Sequence, residues 1–315
     1  MNLEMLVKTL NYDYGITGQV KLDLLKESPD NFIYTVFIDN IKTYVLRVSK
    51  RPLGEDVLFE IDSLIKLSLR GAPVIVPEKL INNEYYKLID KSGIVCVLFK
   101  YIEGEHELVD KNNKPRIERV KSSGAALGVL HNSSFNLIIG KRKGRNIYTE
   151  LDRVLRNENK IRLVFNNPDE FIVNVKKYIN WAKNQKVDHG LINNDYRPSN
   201  VFFLQDKVST ILDFDWSCLG PYIKDVALGA VEWSYPDGSS IPWRDVYGKF
   251  IDGYNSISKI KITDVDSLYK WSAFACLSDA STYFSDLASE HDQSMDKLNM
   301  NSYMYSKFKY FKGKT

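Results

Sequence analysis

A polar loop, a tight apolar hairpin and an acid at its far end follow one another between Ile192 and Asp225, INNDYRPSNVFFLQDKVSTILDFDWSCLGPYIKD. Asp195 and Asn200 stand in the loop, Val201 to Leu204 and Val208 to Leu212 read as strands around a Gln205-Asp206-Lys207 turn, and Asp213 closes the second strand. The hairpin brings Asp213 back beside Asn200, so a carboxylate, a carboxamide and a second carboxylate are delivered to one place. Asp, Asn, Pro and Ser are also ordinary turn residues, and D-x-x-x-x-N alone is a common loop.

The order of these groups suits one chemistry. Transfer of a phosphoryl group needs an oriented hydroxyl and neutralised phosphate oxygens, with little covalent work by the protein. Asp195 would orient the hydroxyl and accept its proton. Asn200 and Asp213 offer the hard oxygens that suit Mg²⁺, an ion that keeps waters and phosphates as its other ligands.

At NDYRPSNVFF and ILDFDWSCLGPYIKDVA the chain resembles the aminoglycoside phosphotransferase and choline kinase-like family, the small-molecule branch of the protein-kinase-like fold. The resemblance implies that Asp195 is the catalytic base, Asn200 and Asp213 the metal ligands, Asp215 a neighbour of the metal, and Asp225 an internal support of the loop. Arg197 falls where protein kinases often carry a lysine on the transferred phosphate, and would stabilise charge there; a solvated or structural arginine is the equal alternative. Asn193 replaces the family's histidine two residues before the base, and an asparagine can still bond a loop backbone. The nearby His189-Gly190 is rejected as the motif, because it would put Leu191 in the base position.

The same resemblance organises the rest of the chain. It implies an α+β fold of two lobes: residues 1–99 a nucleotide-binding antiparallel sheet with one helix, and residues 100–315 a mainly helical catalytic and acceptor-binding lobe, with a hinge at about 99–104. Strand-like runs Phe32 to Ile38 and Thr43 to Val48 form a hairpin. Arg47 sits among apolar neighbours on its second strand, where a cation is costly to bury without an anion. In the family such a cation holds the α- and β-phosphates. Its expected partner is Glu60, on a helix from about Gly54 to Leu69, with Glu55, Asp56 and Asp62 as alternatives. The Ser28-Pro29-Asp30-Asn31 turn resembles the family's loop over the nucleotide phosphates, which points to Ser28 and Asn31. Phe99 and Tyr101, at the end of the Ile94 to Phe99 strand, would border the purine. Val74 to Pro77 and Tyr85 to Ile89 read as further strands.

Helices are expected at about Arg116 to His131, Tyr148 to Leu155, Asp169 to Asn184, Asp225 to Trp233, Trp243 to Ile257 and Leu268 to Leu287. His131 reads as a packed, hydrogen-bonded residue. Glu232, Trp233, Tyr235, Asp237, Trp243 and Asp245 could together cradle a cation through charge and ring faces, which would suit an amine-bearing acceptor. Lys141 to Arg145 reads as a solvated basic loop, and YSKFKYFKGKT as a frayed basic tail.

Composition excludes several other classes. A net charge of +3 over 315 residues argues against nucleic acid as the main partner. Cys96, Cys218 and Cys276 are too widely spaced for a zinc or redox motif and read as buried thiols in a reducing compartment. No apolar run is long enough to span a bilayer, and MNLEMLVKTL is amphipathic rather than a signal peptide, so a cytoplasmic protein is expected. The expected activity is transfer of the γ-phosphoryl group of ATP, with Mg²⁺, to a hydroxyl of an aminoglycoside-, choline- or homoserine-like acceptor. The alternative is a nucleotide-binding module without turnover.

Overall fold

The computed structural model describes residues 2–28, 31–52, 54–89, 93–140, 142–165, 167–236, 239, 241–289 and 305–315. The chain divides into two compact units, Met1–Leu69 with Val74–Gly104, and Arg70–Pro73 with Glu105–Thr315.

The first unit holds α1 (Leu3–Tyr12), β1 (Val20–Glu27), β2 (Asn31–Ile38), β3 (Ile41–Pro52), α2 (Glu55–Leu69), β4 (Lys87–Leu88) and β5 (Ile94–Lys100). The strands make one antiparallel sheet in the order β1-β2-β3-β5-β4. Asp39 and Asn40, at φ 50° and 66°, form the two-residue turn between β2 and β3, a left-handed geometry that Asp and Asn tolerate. Alternation along the strands places Tyr34, Val36, Leu46, Val48, Cys96 and Leu98 on one face, covered by Leu6 and Leu10 of α1. Arg47 therefore belongs to the opposite face, paired in register with Ile33 and Val97.

Two strand readings change. Val74 makes a single bridge and 75–77 are irregular, while only Lys87–Leu88 of the Tyr85 to Ile89 run is strand, followed by an Ile89 N–H bond to the Ile94 carbonyl. Strand β1 carries little apolar alternation because it lies at the sheet edge and is mostly exposed, so periodicity had little to register.

The second unit holds α3 (Ile117–Ser134), α4 (Thr149–Arg156), α5 (Glu158–Val164), α6 (Pro168–Lys183), β6 (His189–Ile192), β7 (Val201–Leu204), β8 (Lys207–Ile211), β9 (Cys218–Pro221), α7 (Tyr222–Ser234), α8 (Arg244–Ile257), α9 (Val265–Ser289) and α10 (305–312). Helix α7 is buried almost all round, as expected of a helix at the centre of a core. Helices α3 and α8 meet backbone to backbone. A Cβ on Gly124 would lie 2.1 Å from the Phe250 carbonyl oxygen, and one on Gly253 would lie 2.2 Å from that of Lys121.

Segment 305–312 is not a frayed tail. Tyr305, Phe308 and Phe311 recur at helical spacing and are buried, so their rings hold α10 in the aromatic core of this unit. No described helix is long and apolar enough to cross a membrane. Cys96, Cys218 and Cys276 are buried free thiols.

Candidate active site

Two small sheets fix the ends of two loops. Pairing of β6 with β9 sets Ile192 opposite Cys218, and pairing of β7 with β8 sets Val201 opposite Ile211. The loops 193–200 and 212–217 thus leave the same two anchors, and the Leu212 N–H donates to the Asn200 carbonyl at 2.8 Å.

Hydrogen bonds between side chains and backbone then shape the loops. Asp225, with no solvent exposure, accepts from the backbone N–H groups of Asn193 (3.0 Å) and Asn194 (2.8 Å). His131 is packed, as its sequence context suggested, between Asp225 (3.1 Å) and the Tyr254 hydroxyl (2.9 Å). Asn193 bonds both loops: its amide donates to the Asp213 carbonyl at 3.0 Å and its oxygen accepts from the Asp195 N–H at 3.1 Å. Asn194, at φ 66°, donates to the Trp216 carbonyl and accepts from Lys224 Nζ at 2.5 Å.

The Asp195 carboxylate meets two partners. Asn200 Nδ2 donates to it at 2.8 Å and also to the Asp195 carbonyl at 2.9 Å. Arg197 Nη2 lies 2.5 Å from its other oxygen. Burial pushes the Asp195 pKa up to about 6, opposed by Arg197, reinforced by Asp279 and Glu232, and opposed again by Asn200. Glu232 and Asp279 each stand 3.8 Å from the Arg197 guanidinium. Burial tends to lower the Arg197 pKa, but Asp195, Glu232 and Asp279 outweigh it and raise it. Burial raises that of Asp279; the same effect on Glu232 is overcome by Lys307 and Arg197, which hold it low.

Asp195 and Arg197 line a cavity of about 210 Å³ together with Glu150, Trp216, Lys224 and Asp279. Arg197 also borders a second cavity of about 490 Å³, with His106, Tyr235 and Lys307. The spacing of the motif gave no sign of Lys224, Asp279 or Lys307. For Lys224 and Asp279 the signal was a charge inside an otherwise apolar helix, YIKDVALGAV and AFACLSDAS, because such a charge must find a partner indoors; Lys307, among the lysines of YSKFKYFKGKT, carried none.

In the first unit, Arg47 forms a two-pronged ion pair with Glu60, Nη1 to Oε1 at 2.8 Å and Nη2 to Oε2 at 2.6 Å. Its guanidinium also lies 5.6 Å from the Phe99 ring centre. Of the alternative acids, Asp62 instead pairs with Lys66 one helical turn on. The Ser28 hydroxyl accepts from the Asn31 N–H at 3.0 Å and closes the turn between β1 and β2, whose Pro29 and Asp30 lie outside the described residues. The Tyr101 N–H donates to the Thr43 carbonyl, extending the β3 and β5 pairing.

Two further expectations are corrected. The acids and aromatics after Asp225 gather only in part: Glu232 and Tyr235 line the second cavity, but Trp233 is buried against Phe203, Asp245 is exposed and paired with Lys114, and Asp237 lies outside the described residues. Only Glu232 reaches Arg197 among these acids described. Nor is the basic run simply solvated. Arg142 donates to the Ser217 carbonyl at 2.9 Å and Arg145 stacks 3.8 Å over Trp216, so both are held on the loop after Asp213; Lys141 lies outside the described residues.

A model of the phosphotransferase enzyme family matches residues 30–257. The homoserine kinase of Brucella anthropi is 23% identical over 259 residues, which cover 82% of this chain and 76% of that protein. That of Rhodopseudomonas palustris is 21% identical over 248 residues, 78% of this chain and 69% of the relative. Among solved structures, an amicoumacin kinase in complex with AMP-PNP, Ca²⁺ and Ami aligns with a TM-score of 0.77 at 15% identity, over 100% of this chain and 94% of that one. A choline kinase from Cryptosporidium parvum gives 0.69 at 11% identity, over 99% and 97% of the two chains. The fold is thus the α+β protein-kinase-like fold. With the family model matched across most of its length, the chain belongs to the phosphotransferase enzyme (APH) family, and is a phosphotransferase acting on hydroxyl groups of small molecules.

Proposed function

We propose that this protein transfers the γ-phosphoryl group of ATP, with Mg²⁺, to the hydroxyl of a small amine-bearing acceptor of the homoserine, choline or aminoglycoside kind. The observation that carries the proposal is the half-buried Asp195 carboxylate at the edge of the 210 Å³ cavity, bonded by Asn200 and Arg197. Asp195 accepts the proton of the attacking hydroxyl, and Arg197 turns toward the transferred phosphate to stabilise its charge.

Asn200 and Asp213 suit Mg²⁺ by donor type. Both N–H bonds of the Asn200 amide point toward Asp195, which turns its oxygen the other way, and Asp213 adds a carboxylate at the end of the paired strands. When bound, the ion supplies neutralisation of phosphate charge, with phosphates and waters completing its ligands. Asp215 is a neighbour whose N–H bonds the Asp213 carboxylate.

In the first unit, residues 1–99 are proposed to bind nucleotide: Arg47, braced by Glu60, on the α- and β-phosphates, the Ser28 to Asn31 turn on phosphate, and Phe99 and Tyr101 at the purine. Residues 100–315 are proposed to carry catalysis and acceptor binding. The cavity's lining favours a small molecule bearing both charges over a polycation, since Lys224 and Arg197 face Glu150, Asp195 and Asp279. The homoserine kinase relatives agree with that preference. The alternative suggested by Asn193 is a module without turnover; turnover is supported by the bonds through which Asn193 holds both loops.

Turnover is tested as ADP release from Mg·ATP with L-homoserine, choline, ethanolamine and kanamycin as acceptors. Asp195→Asn is expected to spare nucleotide binding and remove most turnover, and Asp213→Ala to abolish Mg²⁺-dependent turnover. Full activity in both variants overturns the assignment.

A further inference from the structure

Helix α10 contributes a buried cation beside the proposed catalytic group. Lys307 is 2% exposed, although a lysine seldom enters a core without an anion to meet. Its Nζ lies 3.5 Å from Glu232 Oε1 and 5.5 Å from the centre of the Tyr235 ring. The other Glu232 oxygen stands 3.8 Å from Arg197 Nη1, while Arg197 Nη2 sits 2.5 Å from Asp195. Lys307, Glu232, Arg197 and Asp195 are thus a chain of alternating charges, with the two oxygens of Glu232 each facing a different cation.

The distances decide what the chain does. Arg197 has three carboxylates within reach, with close contact to Asp195 and longer contacts to Glu232 and Asp279. Which carboxylate holds it depends on how well the others are already neutralised, because attraction between buried charges is strong and poorly screened. Lys307 neutralises Glu232 at the oxygen that Arg197 does not contact. Without it, Glu232 would draw the guanidinium away from Asp195.

We propose that Lys307 is a positioning residue: it satisfies Glu232 so that Arg197 stays beside Asp195, within reach of the phosphate transferred there. The role is exerted through Glu232 and does not require Lys307 to touch either substrate. Its seat depends on Tyr305, Phe308 and Phe311, whose burial fixes the helix that carries it. The inference rests on the roles given above to Asp195 and Arg197.

The test is a double-mutant cycle, measured as ADP release from Mg·ATP with the best acceptor of L-homoserine, choline, ethanolamine and kanamycin, or to water where none is used. Lys307→Met should lower kcat roughly ten- to hundredfold, the scale of a misplaced catalytic group, with the KM for ATP little changed. Lys307→Arg should retain most activity. Lys307→Met combined with Glu232→Gln should recover much of the lost kcat, because the competing charge is gone; a role confined to anchoring α10 predicts that kcat and the unfolding midpoint are lost and regained together. Thermal unfolding of each variant shows whether α10 has detached. A Lys307→Met enzyme with unchanged kcat, or a double variant no better than the single one, overturns the inference. Asp195→Asn, assayed alongside, separates the two readings: if it stays active the catalytic assignment has failed, and if it alone is inactive only the role of Lys307 has.

Discussion

Asn193 and Asp213 are joined by a 3.0 Å hydrogen bond from the side-chain amide of the first to the backbone carbonyl of the second. The same amide's oxygen accepts the N–H of Asp195, so one uncharged side chain ties the backbone of the proposed base to that of the proposed metal ligand Asp213. Asn193 is fully buried, and neither bond can be replaced by bulk water. Asn193→Ala should therefore cost about 1–3 kcal/mol of stability, from groups left without partners. Turnover should fall more than ATP affinity does, as measured by urea unfolding and by steady-state kinetics.

Asp195 gives the reaction its pH dependence. Burial raises its pKa to about 6, and only the ionised form can take a proton. Below about pH 6, kcat/KM should fall tenfold per pH unit in the free enzyme. The sign for stability is the reverse. The folded-state pKa lies above the unfolded value of 3.8, so the folded protein binds this proton more tightly. That contribution is complete below the unfolded value and is lost as pH rises through about 6. A pH series of kcat/KM and of urea midpoints, with Asp195→Asn as reference, checks both signs.

Arg47 is tied to Glu60 through both oxygens in a site with little solvent access. Arg47→Met leaves the carboxylate buried without its cation, and should cost about 3–5 kcal/mol. Arg47→Lys keeps the charge but loses the second prong, and should cost less. Thermal unfolding measures the stability, and calorimetric titration with Mg·ATP measures whether nucleotide affinity falls in the same order.

Phe308 has no solvent exposure and packs its ring against Tyr178 and Tyr305. Phe308→Ala should destabilise the protein by about 3–5 kcal/mol through the cavity left behind. A solvated tail would instead show no change in the unfolding midpoint.

The catalytic segment was legible because its information is local. Asp195, Asn200 and Asp213 are separated by a loop and a short hairpin, and hairpin pairing follows from strand pattern and turn length. The Arg47 and Glu60 pair was legible through the family resemblance, which implied an acid on the helix for the strand cation; the residues by themselves left Glu55, Asp56 and Asp62 open, and the structure chose Glu60. Edge strand β1 was missed because exposed strands carry little periodicity. The basic run was misread because lysine and arginine look solvated until a carbonyl or a ring is known to face them, as Ser217 faces Arg142 and Trp216 faces Arg145.

By itself, then, the sequence determined the order of chemical groups: a base candidate, two oxygen donors, a strand cation with an acid to hold it, and the family pattern they compose. Tertiary structure alone decided which charges meet. Asp279 and Lys307 lie far along the chain from Asp195, and their approach depends on how α7, α9 and α10 pack. No local pattern records that packing, because a buried ion pair needs only complementary charge and close approach, which residues at any separation can supply.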